Sequence, residues 1–433
     1  MAKARQKETG LEHYSDEDLK VLLLSTKRNI KIQAAQNYLL PFVELTMPDP
    51  ENDDDCDFSL FQVKPHHRLL AESFEKVVAG HILREAISVA PQHGKSELIS
   101  RRGLAWYIGK NPTKDVIFAT YSDTFAEEFG AEVRAITESP AFKQVFPEFA
   151  WRKGSKSKSY MVTSKGGRIS FIGRGGAGTG KGADLIVIDD PLKNADEAES
   201  PTTRRRLHEW FDKVVYSRAK QTTAIIIIQT RWHEDDLIGR LCDPEHPDRE
   251  KDDEGNISEF DQSKKWTYIN IPAVIMDPEL AKVLGVKLEV PTDPQVLRAF
   301  GDQPMAALWE ERFALPHLAS ACLLNPVSFN ALYMGKPTPE DGEFFRKEQL
   351  IEYDEHELPK LLRIYGASDH ALTSKSENDA SVIGCVGVDI HGVIWVLPDV
   401  RVDRIETDET VDEIIDQMVD HRPLLWWMES ENI

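Results

Sequence analysis

Cysteine is scarce in this 433-residue sequence. There are four, Cys56, Cys242, Cys322 and Cys385, and no two form a Cys-x-x-Cys pair. A disulfide framework and a cysteine-rich zinc site are therefore not expected, and the four read as free thiols of a reducing compartment. Long apolar runs are also lacking. None approaches the roughly 20 residues that span a bilayer. The first 18 residues, MAKARQKETGLEHYSDED, have no apolar core, so secretion is not expected either. Positive charge is in deficit, with 52 Lys and Arg against 73 Asp and Glu and a formal net charge of −21. The deficit is uneven. From Trp151 to Lys181 there are eight basic residues (Arg152, Lys153, Lys156, Lys158, Lys165, Arg168, Arg174, Lys181) and no acid; Arg204, Arg205 and Arg206 form a second group. A local basic surface on an acidic protein is able to hold a polyanion, and a solvated basic loop is the competing reading.

What is present is an ordinary globular composition, 41% hydrophobic and 29% charged. Its length predicts two or three domains. Two segments carry chemistry. SVAPQHGKSELIS (88–100) sets Gly94, Lys95 and Ser96 in a row after a strand-like run. A glycine lets backbone wrap a phosphate, a lysine reaches the terminal phosphates, and a serine hydroxyl meets Mg²⁺. The usual GxxxxGK[ST] spacing is incomplete, because Val89 stands where the first glycine belongs. ADLIVIDDPLKN (183–194) is an apolar run that ends in two carboxylates, Asp189 and Asp190. A strand-end aspartate completes a magnesium site, and a second carboxylate orients the attacking water. Alone, each segment is an everyday strand and turn; in this order they read as one nucleotide-triphosphate site. A third run, Ala224 to Ile228, ends in Gln229, Thr230 and Arg231. In a parallel sheet all three polar clusters meet at the carboxyl edge.

The pattern predicts a doubly wound, mostly parallel α/β domain with strands at 82–89, 115–120, 168–172, 185–188 and 224–228. A helical segment and acidic linker fill 1–57, the nucleotide domain spans 58–265, and a connecting region occupies 266–355. A second α/β unit, 356–433, has strands at 363–371, 380–389, 392–403 and 424–431 and a helix at 408–423. His66 and His67 fall on an amphipathic helix and are expected at the surface. His93, within the loop, is expected to serve through its backbone.

Four strings together, PQHGKSE (91–97), GRGGAGTGKGADLIVIDDP (173–191), TRWHEDDLIGRL (230–241) and NALYMGKPTPEDGEFF (330–345), resemble the large terminase subunit of tailed bacteriophages. The resemblance covers about 66–431. It implies a P-loop ATPase that drives viral DNA packaging, followed by an RNase H-like nuclease. It assigns the phosphate loop to Gln92, His93, Gly94, Lys95, Ser96 and Glu97, with Ser96 and Asp189 on Mg²⁺ and Asp190 orienting water. Relatives often carry glutamate at that last position. Thr230 and Arg231 would sense the γ-phosphate. A charge-stabilising arginine is implied, with Arg174 and Arg101 as candidates. In the nuclease, Asp369 and Glu429 would hold divalent metal, Mg²⁺ or Mn²⁺. The family pattern expects a third acid further on than Ile433, so either the chain is a fragment or split product or its nuclease is incomplete; Asp379 and Glu431 are the substitutes in reach. Duplex DNA, a procapsid portal, a small terminase subunit and further copies in a ring are the implied partners, in the host cytoplasm and without a membrane. The competing reading is a helicase-like or repair ATPase.

Overall fold

The computed structural model describes residues 15–52, 54–154, 157–176, 182–242, 265–337, 351–369, 381–403 and 407–428. Two compact units divide the chain, Met1–Asp341 and Gly342–Ile433.

The first unit opens with two helices, α1 (Asp16–Asn37) and α2 (Leu39–Thr46). Ser15 caps α1: its hydroxyl accepts from the Asp18 amide, and the Asp18 carboxylate accepts from the Ser15 amide. Three acids in the first turn suit the positive end of the helix dipole. Leu39, Phe42 and Val43 of α2 are fully buried in the main core. The described helices of the expected 1–57 segment thus pack into the core of this unit. Next come α3 (Pro65–Val78) and β1 (Arg84–Val89). A π-helical stretch, Ser96–Gly103, runs straight into α4 (Leu104–Lys110). Then follow β2 (Asp115–Thr120), α5 (Asp123–Glu138), α6 (Pro140–Val145), β3 (Tyr160–Val162), β4 (Arg168–Gly173), β5 (Ala183–Asp189), α7 (Ala195–Glu199) and α8 (Pro201–Trp210). β6 (Ala219–Gln229), α9 (Leu237–Cys242) and β7 (Thr267–Ile271) complete the principal sheet region.

Seven strands form one sheet in the order β3-β4-β2-β5-β6-β1-β7, parallel except where β3 meets β4. Alternation along the central strands sorts their side chains onto two faces. Leu185 and Val187 of β5, with Ile226 and Ile228 of β6, enter the core shared with α3, α4 and α5. Ile186, Ile188, Ile225 and Ile227 enter a second core with Leu207 and Trp210 of α8 and Leu237 and Ile238 of α9. Helices therefore cover both faces, and the strands read as unbroken apolar runs for that reason. The expected end of this domain at 265 is corrected by β7, which is hydrogen-bonded along β1 from Thr267 to Ile271. Beyond it lie β8 (Val274–Ile275), α10 (Pro278–Leu284), α11 (Pro294–Phe300), β9 (Ala306–Ala307), α12 (Leu315–Leu324) and α13 (Pro326–Leu332). β8 pairs with β9, and the three helices α11 to α13 close a third core around Ala273, Met305 and Phe329.

The second unit contains β10 (Arg363–Asp369), β11 (Ser381–Val388), β12 (Ile394–Val396), β13 (Arg401–Asp403), α14 (Thr407–His421) and β14 (Trp426–Met428). β11 runs antiparallel to β10, β12 and β13, whereas β14 lies parallel to β10. The turn at 389–392 is built on Asp389, whose Oδ1 accepts from the His391 and Val393 amides. Among the described residues no helix is long and apolar enough to cross a membrane.

One substitution tests the packing of the first unit. Gly109 lies inside α4, where alanine ordinarily gains about 1 kcal/mol over glycine. A Cβ there would sit 2.5 Å from the Phe146 ring and 2.9 Å from Phe142, itself fully buried. Overpacking of this kind costs about 1–3 kcal/mol. Gly109→Ala is therefore expected to lower the thermal midpoint, and a raised midpoint would show that the two rings yield freely.

Candidate functional site

Three strand ends make the site. β6 lies between β1 and β5, so the residues that follow Val89, Asp189 and Gln229 emerge side by side at the carboxyl edge. After β1 the chain turns through Gln92 (φ 61°) and Gly94 (φ 80°) before Lys95 enters right-handed helical geometry. A left-handed residue followed by a right-handed one makes a concave row of amides suited to an anion. Gly94 is required twice, once for its φ and once because a Cβ would lie 2.6 Å from His67 Nε2.

Lys95 is 6% exposed. Its Nζ donates to Thr230 Oγ1 at 2.7 Å and forms an ion pair with Asp190 Oδ2 at 3.2 Å. The other Asp190 oxygen accepts from the Thr230 amide at 2.7 Å. Asp190 has a φ of 42°, and its own amide donates to the Ile228 carbonyl at 2.9 Å. A non-glycine residue in that region is strained by about 1–3 kcal/mol and persists only where its surroundings fix it. Here a lysine and two main-chain bonds do so.

Asp189 is 2% exposed, and neither carboxylate oxygen completes a hydrogen bond. Burial first, and the neighbouring Asp190 second, push its pKa up to about 6, while Lys95 and the Ser96 and Ser100 hydroxyls pull the other way. A buried carboxylate without a completed hydrogen bond, beside the Ser96 and Ser100 hydroxyls and next to the Asp190 carboxylate, is a donor set for a hard divalent cation. These residues fit Mg²⁺.

The remaining expected residues divide. Gln92 is exposed, and its Oε1 accepts from Arg312 at 3.4 Å. His93 is wholly buried, with Nδ1 2.8 Å from the Pro91 carbonyl, so it serves the loop from inside. Glu97 pairs with Arg102 at 2.8 Å and Arg101 at 3.7 Å, and so braces the helix after the loop. Arg231 is buried and committed elsewhere. Nε donates to Asp236 at 2.7 Å, Nη1 to the Tyr268 hydroxyl and Nη2 to the Glu234 carbonyl, each at 3.3 Å. The expected role of Arg231 at the γ-phosphate would start from this paired state. Arg174 lies beside the exit of β5, donating to the Pro191 carbonyl at 3.4 Å and to Glu197 at 3.0 Å. Arg101 instead pairs with Glu132 and lies over the Phe129 ring at 4.3 Å.

Sequence reasoning missed three parts. His66 and His67 are fully buried against the loop, not at the surface. Asp236 and Tyr268 hold Arg231. Ser100 reaches the Asp189 side by the π-helical winding of Ser96–Gly103, which no residue pattern announces. In the basic segment, Lys165 pairs with Glu148 and Arg168 with Asp115, while Arg152 and Lys153 are exposed; Lys156 and Lys181 lie outside the described residues. Asp369 is exposed at the end of β10. Asp379, Glu429 and Glu431 lie outside the described residues. Among the described residues, the three-ligand grouping of Asp55, Cys56 and Asp57 is elsewhere, with both acids within ion-pair distance of Lys27.

The sequence profile of the family "Terminase large subunit, T4likevirus-type, N-terminal" matches residues 86–350, which hold all three strand ends and more than half of the chain. The chain belongs to the large terminase subunits. Several solved structures resemble it at low identity. The HK97 bacteriophage large terminase is 12% identical, covering 90% of this chain and 74% of its own, with a TM-score of 0.42. The Thermus phage P74-26 large terminase ATPase domain is 13% identical, covering 67% of this chain and 99% of its own, at 0.38. A large terminase of a thermophilic bacteriophage, solved in complex with ADP, is 10% identical, covering 83% and 77%, at 0.34. No curated protein matches the chain.

The Asp189 carboxyl gives this terminase site a signature in pH. Its folded pKa, about 6, lies above the unfolded value near 3.8. The folded state therefore binds the extra proton, and this contribution to stability is full below about pH 4 and lost as pH rises through about 6. In EDTA and without nucleotide, Asp189→Asn is expected to melt above the native protein at pH 8. The gap should shrink towards pH 4. Melting below the native protein at pH 8 would show that the carboxylate already has a stabilising partner.

Proposed function

We propose that this terminase subunit is the ATP-hydrolysing motor that drives duplex DNA into procapsids. The observation that carries the reading is the convergence of Lys95, Thr230 and Asp190 at one sheet edge, beside the buried Asp189 carboxylate, which completes no hydrogen bond. In this reading Gly94, Lys95 and Ser96 cradle the phosphates of ATP. Ser96 and Asp189 hold Mg²⁺, which when bound neutralises charge on the phosphates. Asp190, half in solvent and freed from Lys95 by an arriving phosphate, orients the attacking water. Thr230, bonded to both, registers the change. Arg174 is the nearer of the two arginine candidates to the strand end that carries Asp190.

The unit 342–433 is proposed as the nuclease. An antiparallel β10-β11-β12 run with β14 parallel beside β10 is compatible with an RNase H-like layout. Asp369 and Glu429 would hold Mg²⁺ or Mn²⁺ there. The boundaries 58–265, 266–355 and 356–433 are retained as functional divisions only, since the principal sheet runs past 265. Portal, small subunit, a ring of copies and the host cytoplasm are the setting that this role requires.

The decisive experiment is ATP hydrolysis with and without duplex DNA, followed by procapsid-dependent protection of DNA from an added nuclease. Stimulated hydrolysis with protection supports the motor. Strand displacement without protection would turn the reading towards a helicase.

Two substitutions separate roles within the site. Asp190→Asn is expected to leave nucleotide affinity within a few-fold while cutting kcat by about 10²–10⁴, the usual loss for a group that handles the attacking water's proton. Asp189→Asn should instead remove the Mg²⁺-dependent part of nucleotide binding, measured by calorimetry with and without EDTA. Indistinguishable variants would mean that the two carboxylates share one task.

A further inference from the structure

We infer that His66 and His67 are positioning residues of the nucleotide site, holding the phosphate loop in its anion-receiving shape through the main-chain carbonyl of His93. The inference rests on the proposed nucleotide role of that loop. Both rings come from the first turn of α3 and converge on one oxygen, His66 Nε2 at 3.2 Å and His67 Nε2 at 3.1 Å from His93 O. The tautomer of His67 follows from its other nitrogen. Nδ1 accepts the Lys64 amide at 3.1 Å, which leaves the proton on Nε2, the nitrogen that faces the His93 carbonyl; the Gln62 carbonyl is a further acceptor beside the ring. His66 has a single ring partner, the same carbonyl, and its Nδ1 has none. It too must donate through Nε2. Burial is the chief cause that keeps both rings neutral, with the neighbouring imidazoles and Lys64 adding to it and the carbonyl acceptors opposing it: the pKa of His66 is driven down to about 2 and that of His67 to about 4. The donor state therefore holds throughout the neutral range.

The carbonyl lies one residue before Gly94. Two donors on it fix the peptide between His93 and Gly94, and with it the direction of the Gly94 amide. The left-handed φ of Gly94 and its 2.6 Å approach to His67 belong to the same lock. Trp309 closes it from outside, with ring centroids 5.8, 5.4 and 6.3 Å from His66, His67 and His93. Phe313 stacks on His93 at 4.8 Å. A single histidine–carbonyl bond would be routine helix-to-loop packing. Two neutral donors spent on one oxygen, at the cost of an unpartnered His66 Nδ1, is a device for holding a peptide plane.

The test uses the full chain and ADP with Mg²⁺ as the calorimetric probe, with KM and kcat for ATP measured alongside. Glutamine places an N–H near the position of His Nε2, and leucine keeps volume without a donor. The double variant His66→Leu/His67→Leu is expected to bind ADP at least tenfold more weakly and to raise KM more than it lowers kcat. His66→Gln is expected to stay within threefold of native in both. Native-like ADP affinity in the double leucine variant would overturn the inference, as would equal losses in His66→Gln and His66→Leu, which would assign the effect to packing. If the double variant does not fold, the comparison of His66→Leu with His66→Gln decides: leucine weaker supports the lock, equality overturns it. Lys95→Ala is the separate control. If that variant retains native ADP affinity, the nucleotide reading of the loop fails, whatever the histidines do.

Discussion

A lysine ammonium almost wholly removed from water costs several kcal/mol unless an acid lies against it. For Lys95 that acid is Asp190. The need to bring the two together constrains much of the first unit. The lysine leaves the sheet from β1 and the aspartate from β5, and these strands are not neighbours. β6 lies between them and contributes Thr230, which bonds to both through its hydroxyl and its amide. A sheet with β1 and β5 adjacent would place the same ion pair with no residue in between. The inserted strand is what gives the site a third member in direct contact with both charges.

The two adjacent carboxylates differ because the backbone turns between them. Along a regular strand, successive side chains point to opposite faces. At Asp190 the chain leaves the strand with positive φ, and its side chain stays at the sheet edge with Lys95. Asp189 remains within the sheet and is buried, without a hydrogen bond to either oxygen. In the first unit the described non-glycine residues with positive φ, Gln92 and Asp190, thus both lie at the strand ends that form the site. They are held by well-packed elements: two histidines and an indole on one side, and the apolar interiors of β5 and β6 on the other. Such strain persists where surrounding structure over-determines it.

Much of this was legible in the residues. β5 and β6 are read from Leu185–Ile188 and Ala224–Ile228 because central parallel strands are apolar on both faces. Gly94, Lys95, Ser96 and the Asp pair are read because few side chains perform phosphate and metal chemistry. β7 was not read. TYINI alternates weakly, is half exposed, and follows a charged stretch that imitates a domain boundary. The buried histidines were misread for a non-local reason. Two histidines on an amphipathic helix look solvated until Trp309, some 240 positions later, covers them. The partner of Arg231 was equally hidden. Asp235 and Asp236 are adjacent in sequence, and only the fold sends Asp236 to Arg231 and Asp235 to Arg204 and Arg240.

That last division shows how the site is tied to its own scaffold. The Asp236 carboxylate bonds Arg231 and also accepts the Gly239 amide at 2.9 Å, which fixes the start of α9. Asp235 holds Arg204 of α8 at 3.2 Å and Arg240 of α9 at 2.8 Å, and its carbonyl lies 3.2 Å from His208 Nε2. Gly239 allows no side chain, since a Cβ would lie 1.6 Å from the Glu234 carbonyl oxygen. From Thr230 to Arg240 the chain is therefore a strut. Arg231, Asp235, Asp236 and Arg240 are paired, and the backbone at Gly239 is packed at contact distance. Coupling between distant sites needs an element with two arrangements of similar free energy, and a strut of this kind does not supply one. A displacement imposed at Thr230 would carry α8, α9 and the end of β6 together as one body. That is the mechanical behaviour required if the exposed Arg205 and Arg206 on α8 are to respond to events at the sheet edge.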